Sequence, residues 1–236
     1  LVTTMIIAMF LAHLMGDYVL QWDSLAQWKA REFQGVVVHS LILAATTAIF
    51  AMPFGPGNWI VVLIISLSHF LIDAAQFFHK PKLSPLLRFS LDQAAHLIFI
   101  ILALVAGGYL QWGAIVSGII AGAEATPLLT AILGYAFVTM PAWVLLKYIV
   151  YGLVKRQPPN FPAGPNKYVG IVERVIITTL VLFGQAFLVP VVALPRMVME
   201  WPRVSRSEGD RIYMIELISS AFLAVGVGLT LSLLLF

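Results

Sequence analysis

The run WIVVLIISLSHFLIDAAQFF, residues 59–78, decides the class of this chain. It holds no Lys, Arg or Glu, and a helix of that length rising 1.5 Å per residue reaches about 30 Å, the thickness of a bilayer's hydrocarbon layer. Only His69 and Asp73 are ionisable within it. Helical residues four apart share a face, with roughly 5–6 Å between their Cβ atoms, so these two side chains can address one point. An ionisable group inside a membrane costs about 2.5–3.5 kcal/mol on insertion scales, which makes the pair a functional suspect rather than decoration.

Working outward, the same spacing recurs. His13 and Asp17 sit four apart in the apolar run 1–20, Asp92 and His96 in the run 86–105, and His39 stands alone in the run 36–52. The chain as a whole is 61% hydrophobic and 11% charged with a mean hydropathy of +0.96. Soluble domains average about 45–50% apolar and about 25% charged. The expected fold is therefore all-α, a polytopic transmembrane bundle of about six spans (five to seven) plus a short interfacial helix. The 236 residues include no Cys, so disulfides and thiolate ligation are excluded and any metal must be held by nitrogen and oxygen.

The expected organisation is an N-terminal membrane bundle over 1–156, a Pro-rich linker over 157–167, and a C-terminal two-span segment over 168–236. The first run has no basic leader region and reads as a retained span. Residues 22–33 mix Trp22 and Trp28 with Lys29 and Arg31, the composition of a membrane–water interface. PFGPGN at 53–58 breaks the second span from the third. Beyond 108, residues 112–123 are too short to cross and read as a re-entrant or interfacial helix on the outside. A long span over 126–154 is expected to kink at Pro141, followed by spans over 168–189 and 212–236. Basic residues collect in cytoplasmic loops. Placing Lys29, Arg31, Lys80, Lys82 and Arg88 there puts the amino terminus outside and all seven His/Asp residues near the cytoplasmic face. The connection carrying Arg196, Arg203, Arg206 and Arg211 is in conflict, since span parity puts it outside and its charge puts it inside.

The sequence His13-Leu-Met-Gly-Asp17-Tyr-Val-Leu-Gln21 resembles the opening signature His-Leu-x-Gly-Asp-Phe-x-Leu-Gln of a bacterial membrane family, domain-of-unknown-function family 3307, with Tyr18 in place of Phe. The resemblance continues through Gly35, His39, His69, Asp73 and Asp92-Gln93-x-x-His96. Later, Gly170-x-x-Glu173-Arg174 and Leu182-Phe-Gly-Gln185 resemble the carboxy-terminal part of longer members. The resemblance implies a multi-pass protein of the bacterial inner (cytoplasmic) membrane but names no reaction. In residue type and setting the chain is also loosely similar to the inner-membrane proteins grouped as metal-dependent hydrolases.

Neutral imidazole with carboxylate suits a divalent metal, zinc first, with iron or manganese as alternatives, and zinc with an open position activates water. The candidate metal ligands are His13, Asp17, His39, His69, Asp73, Asp92 and His96. Asp92 and Glu173 are the candidate catalytic residues, as ligand or general base. Gln21 and Gln93 are candidate supporting donors. A single His–Asp pair reads best as a strut locking two helices. Three pairs plus His39 at one depth read best as a metal or catalytic site. His79, beside Lys80 and Lys82, is expected in an exposed turn, Lys147 is expected to snorkel, and Glu216 with the nearby arginines is expected to meet lipid headgroups or a partner protein. The spacing Gly118-x-x-x-Gly122 permits close helix contact.

The expected function is a metal-dependent hydrolase acting on a lipid or other membrane-presented phosphoester or amide at the cytoplasmic leaflet. The alternatives are an ion or proton transport protein, and a non-catalytic membrane subunit of a larger complex whose site is structural. The expected partners are the lipid bilayer and a membrane protein, not nucleic acid, because the basic residues are few and scattered. A Ser or Cys nucleophile enzyme is disfavoured by the lack of Cys and of a Gly-x-Ser-x-Gly elbow.

Overall fold

The computed structural model describes residues 2–55, 58–79, 82–154, 159, 161, 165–204 and 208–236. Among these there are α-helices numbered α1 to α11 and no strand, so the all-α expectation is borne out. Four helices, Phe33–Phe54, Trp59–Phe78, Pro85–Ala106 and Ile212–Leu235, are long and apolar enough to cross a membrane. Two bent pairs, Thr3–Val19 with Asp23–Arg31 and Trp112–Ala125 with Pro127–Val138, raise that number to 6 if each counts as one span. The Pro-rich linker lies outside the described residues except for Pro159, Phe161 and 165–167.

The helices cluster into two compact units, Leu1–Lys82 with Ser90–Leu133, and Leu83–Phe89 with Gly134–Phe236. In the first unit, α1 (Val2–Leu14) runs into a π-helical turn, Met15–Val19, where Leu20 N–H reaches back five residues to Met15 O at 2.8 Å. The chain then turns by 84° into α2 (Asp23–Arg31), the short interfacial helix. α3 (Phe33–Ala51) and α4 (Trp59–Phe78) pair as a hairpin. At its far end Gly55 takes φ 92°, a conformation open to glycine, and Asn58 Nδ2 donates to Ala51 O at 3.1 Å and Gly55 O at 2.9 Å. At the other end the Phe33 ring packs on Phe70, Phe77 and Phe78 with centroids 6.1, 5.9 and 5.1 Å away. The hairpin is thus fixed at both ends, which sets the register of His39 against His69.

Small residues bring the other elements close. A Cβ on Gly35 would lie 2.4 Å from the backbone N of Lys29, so only glycine lets α2 settle onto the start of α3. A Cβ on Gly122 of α6 (Ile115–Ala125) would meet Thr3 O at 3.1 Å, so one glycine of the Gly118/Gly122 spacing does serve a close helix approach, onto α1. α5 (Pro85–Ala106) contributes its residues from 90 onward to this unit.

Four features of the chain's second half depart from expectation. The single kinked span over 126–154 is instead two helices, α7 (Pro127–Val138) and α8 (Met140–Val154), broken at Thr139. Pro141 has no N–H to continue the ladder, and Arg174 makes the break affordable by donating from Nε to Val138 O at 2.6 Å and from Nη2 to Thr139 O at 3.0 Å. The span expected over 168–189 stops early: α9 (Pro165–Leu182) ends at Leu182, followed by Gly184 at φ 72°. The charged connection is itself largely helical. α10 (Val189–Val204) carries exposed Val191, Leu194, Val198 and Trp201 at helical spacing, a periodicity obscured by the prolines and charges between them. Lys147 is buried and paired with Glu216 of α11 (Glu208–Leu235) at 2.8 Å rather than snorkelling.

Gly35→Ala is expected to cost about 1–3 kcal/mol by overpacking, read as a lowered thermal midpoint of the detergent-solubilised protein. Gly113→Ala, where a Cβ meets open space, is the control and should leave the midpoint within error.

Candidate metal centre

Every element of the first unit's hairpin and its neighbours sends a polar side chain to one buried place. The π-helical turn presents Asp17, α2 presents Lys29, α3 presents His39, and α4 presents His69 and Asp73. His39 Nε2 lies 3.1 Å from Asp17 Oδ1, 3.1 Å from His69 Nε2 and 3.6 Å from Asp73 Oδ2. His69 Nε2 lies 3.1 Å from Asp73 Oδ2 and 4.0 Å from Asp17 Oδ1. His39 is fully buried and His69 nearly so, at 0% and 2% exposure. The i,i+4 pair His69/Asp73 therefore forms, while Asp17 is joined to His39 on the next helix. The extra residue of a π-helical turn changes where the following side chain points, and such turns recur at functional sites.

The proton count of this cluster is short. A neutral imidazole carries one N–H, and two Nε2 atoms 3.1 Å apart that each also approach a carboxylate oxygen cannot all be satisfied by it. If both Nε2 atoms are protonated toward their carboxylates, the two N–H groups face each other. If only one is, the other lone pair faces a carboxylate. One cation accepting the lone pairs of both nitrogens removes the conflict.

Two groups of ligand atoms lie within metal-binding reach, Asp17, His39 and His69 in one, and His69, Asp73 and His96 in the other, each with its atoms within 4.8 Å of one another. His96 on α5 sits with its ring centroid 4.2 Å from that of His69 and 5.4 Å from that of His13. Asp92 Oδ1 approaches His96 Nδ1 at 3.5 Å, too far for a good hydrogen bond. Gln76 and Gln93 hold Asp92 instead: Gln76 Nε2 donates to Oδ1, and Gln93 Nε2 donates to Oδ2 at 2.9 Å and to Asp17 Oδ2 at 3.4 Å. Glu173 lies in the second unit, where Arg196 Nη1 donates to it at 2.6 Å. His79 caps α4 and is exposed.

Two participants have no place among the ligand candidates read from the sequence. Lys29 Nζ stands 2.7 Å from Asp73 Oδ2. Burial works against its charge, but Asp73 and then Asp17 outweigh that and hold its pKa above the usual lysine value. In the sequence Lys29 is indistinguishable from an interfacial anchor, and only the sharp turn before α2 brings it back over the site. Gln76 was legible in principle, because it follows His69 by seven residues and Asp73 by three and so shares their face.

Residues 5–117 match the model of a protein family of unknown function, DUF3307. The match to that family covers just under half of the chain. The resemblance read from the His13 to Gln21 signature thus holds over a stretch that contains every member of the cluster. No curated protein and no solved structure matches the chain, and the looser likeness to metal-dependent hydrolases gains no support.

Removing one partner of a buried ion pair costs about 3–5 kcal/mol, and the partial exposure of Lys29 puts this pair at the low end. In metal-free protein, Lys29→Met should destabilise, Asp73→Asn should destabilise, and the double variant should recover most of the loss. Chemical or thermal unfolding of the four proteins measures the coupling, and simple additivity would show that the pair carries none.

Proposed function

We propose that this is a membrane-embedded metal-binding protein that holds a divalent ion, zinc first, on Asp17, His39 and His69 with Asp73 beside them. The observation that carries this reading is the approach of His39 Nε2 and His69 Nε2 to 3.1 Å with a carboxylate oxygen 3.1 Å from each. Ligands about 2.0–2.1 Å from a tetrahedral zinc ion stand roughly 3.3–3.4 Å from one another, and the spacings in the cluster bracket that value. Charge supports the same reading. Asp17, Asp73 and Asp92 against Lys29 leave an excess of negative charge in a buried place, which bound divalent cations offset.

The chemistry we assign to the centre is hydrolysis of a lipid or other membrane-presented substrate at the cytoplasmic leaflet of the bacterial inner membrane. Three protein ligands leave a zinc ion a position for water or substrate. Asp92, less buried than the other carboxylates and held by two glutamines, is the residue placed to accept a proton. Transport is the weaker reading, because three hydroxyls along α3 and α4 turn onto their own backbones. Thr46, Thr47 and Ser68 donate their hydroxyls to Ile42, Leu43 and Ile65 carbonyls of their own helices.

Protein purified without chelator should carry zinc, iron or manganese by elemental analysis, and His39→Ala and His69→Ala should each lose it. Added zinc at a hundredfold excess over its dissociation constant should stabilise the native protein by about 2.7 kcal/mol and the two variants by none. His79→Ala should behave as the unaltered protein. Asp92→Asn should retain an ion while losing chelator-sensitive hydrolysis. Metal-free protein that zinc does not stabilise would contradict the reading.

A further inference from the structure

The first ion leaves part of the cluster unexplained. His13 and His96 are 2% and 3% exposed, yet His13 Nε2 and both ring nitrogens of His96 have no hydrogen-bond partner. A neutral imidazole always carries one N–H to place and one lone pair to offer, and leaving either buried and unmet costs about 1–3 kcal/mol. Struts between helices would have spent these atoms on one another or on backbone carbonyls. The rings instead lie side by side, centroids 5.4 Å apart and planes tilted by 31°, a stack that uses none of the nitrogens.

We propose that a second divalent ion binds beside the first, on His96 and Asp73 with His13 and Asp92 beside them, so that the centre is binuclear. Four observations place it there. His96, His69 and Asp73 already form a group whose ligand atoms lie within 4.8 Å of one another, distinct from the group of Asp17, His39 and His69. The two groups share His69, whose ring centroid is 4.2 Å from that of His96, so two ions would be neighbours rather than remote sites. Asp73 belongs to the second group and its Oδ2 also stands 3.6 Å from His39 Nε2 of the first, so it is within reach of both positions. Asp92 Oδ1, at 3.5 Å from His96 Nδ1, keeps the proposed proton acceptor next to the second position. Paired ions in hydrolytic sites stand about 3.5–4 Å apart and clamp both the attacking and the leaving oxygen, so the inference rests on the single-ion reading and extends it.

The test is metal stoichiometry, with zinc as the probe. Detergent-solubilised full-length protein is stripped with chelator, reloaded with zinc, freed of excess and assayed for zinc per chain. The structure predicts two zinc ions per chain, falling to one in His96→Gln and in the His13→Gln/His96→Gln double variant. Substituting cobalt should give a spin-coupled pair, with a diminished paramagnetic resonance signal that recovers to that of an isolated ion in His96→Gln. The stoichiometry of the unaltered protein does not depend on any variant folding. One zinc per chain in it would overturn the second position and leave the first intact. Two zinc ions that persist in the double variant would overturn the assignment to His13 and His96. No bound zinc at all would remove the single-ion reading as well.

Discussion

Two imidazole nitrogens held 3.1 Å apart on buried side chains are the constraint on which the first unit turns. On a surface, water would resolve their competition for protons, but these side chains are 0% and 2% exposed. The helices nevertheless bring His39 and His69 together, pin the hairpin that carries them with Phe33 at one end and Asn58 at the other, and add carboxylates rather than neutral donors around them. An arrangement built to be inert would place an amide or a hydroxyl there. Lys29, the cation that reaches the cluster among the described residues, contacts Asp73 and leaves the nitrogens unserved.

The second unit treats its polar groups differently. Arg174 donates to the carbonyls freed at Thr139 and to Ser220 Oγ at 3.1 Å, Lys147 pairs with Glu216, and Glu173 pairs with Arg196, which also donates to Tyr213. Each of these charges has a partner whose role is to hold two helices together. A Cβ on Gly228 would lie 2.9 Å from Thr178 O, and Thr178 Oγ1 donates to Ala224 O at 3.1 Å, so α9 and α11 are joined by close backbone approach as well. Buried polarity in this unit is structural, whereas in the first unit it is left over after the structure has been satisfied.

The all-α class and most of the N-terminal helix boundaries were legible in the sequence because long apolar runs admit few foldings in a bilayer. The run 59–78 gives the bounds of α4, and the breaker at 53–58 and the Trp-rich stretch at 22–33 mark the hairpin turn and α2. The identity of the clustered residues was legible for the same reason, since charge inside such runs stands out. Their partnerships were not. A helical repeat pairs His13 with Asp17, and nothing in the residues announces the π-helical turn at Met15–Val19 that hands Asp17 to His39. Lys29 was hidden because its role depends on an 84° turn. The break at Thr139 falls two residues before Pro141, where the kink was expected, but the partner of its carbonyls, Arg174, lies thirty-five residues on, where no local pattern can show it.

X-ray absorption at the zinc edge of zinc-loaded protein tests the central claim most directly. An ion on His39 and His69 gives nitrogen and oxygen neighbours at about 2.0–2.1 Å together with the outer-shell scattering of imidazole rings, and that imidazole signal weakens in His69→Ala. A shell of oxygen alone, or an imidazole signal unchanged by removing His69, would show that zinc binds elsewhere and that the buried histidines are not its ligands.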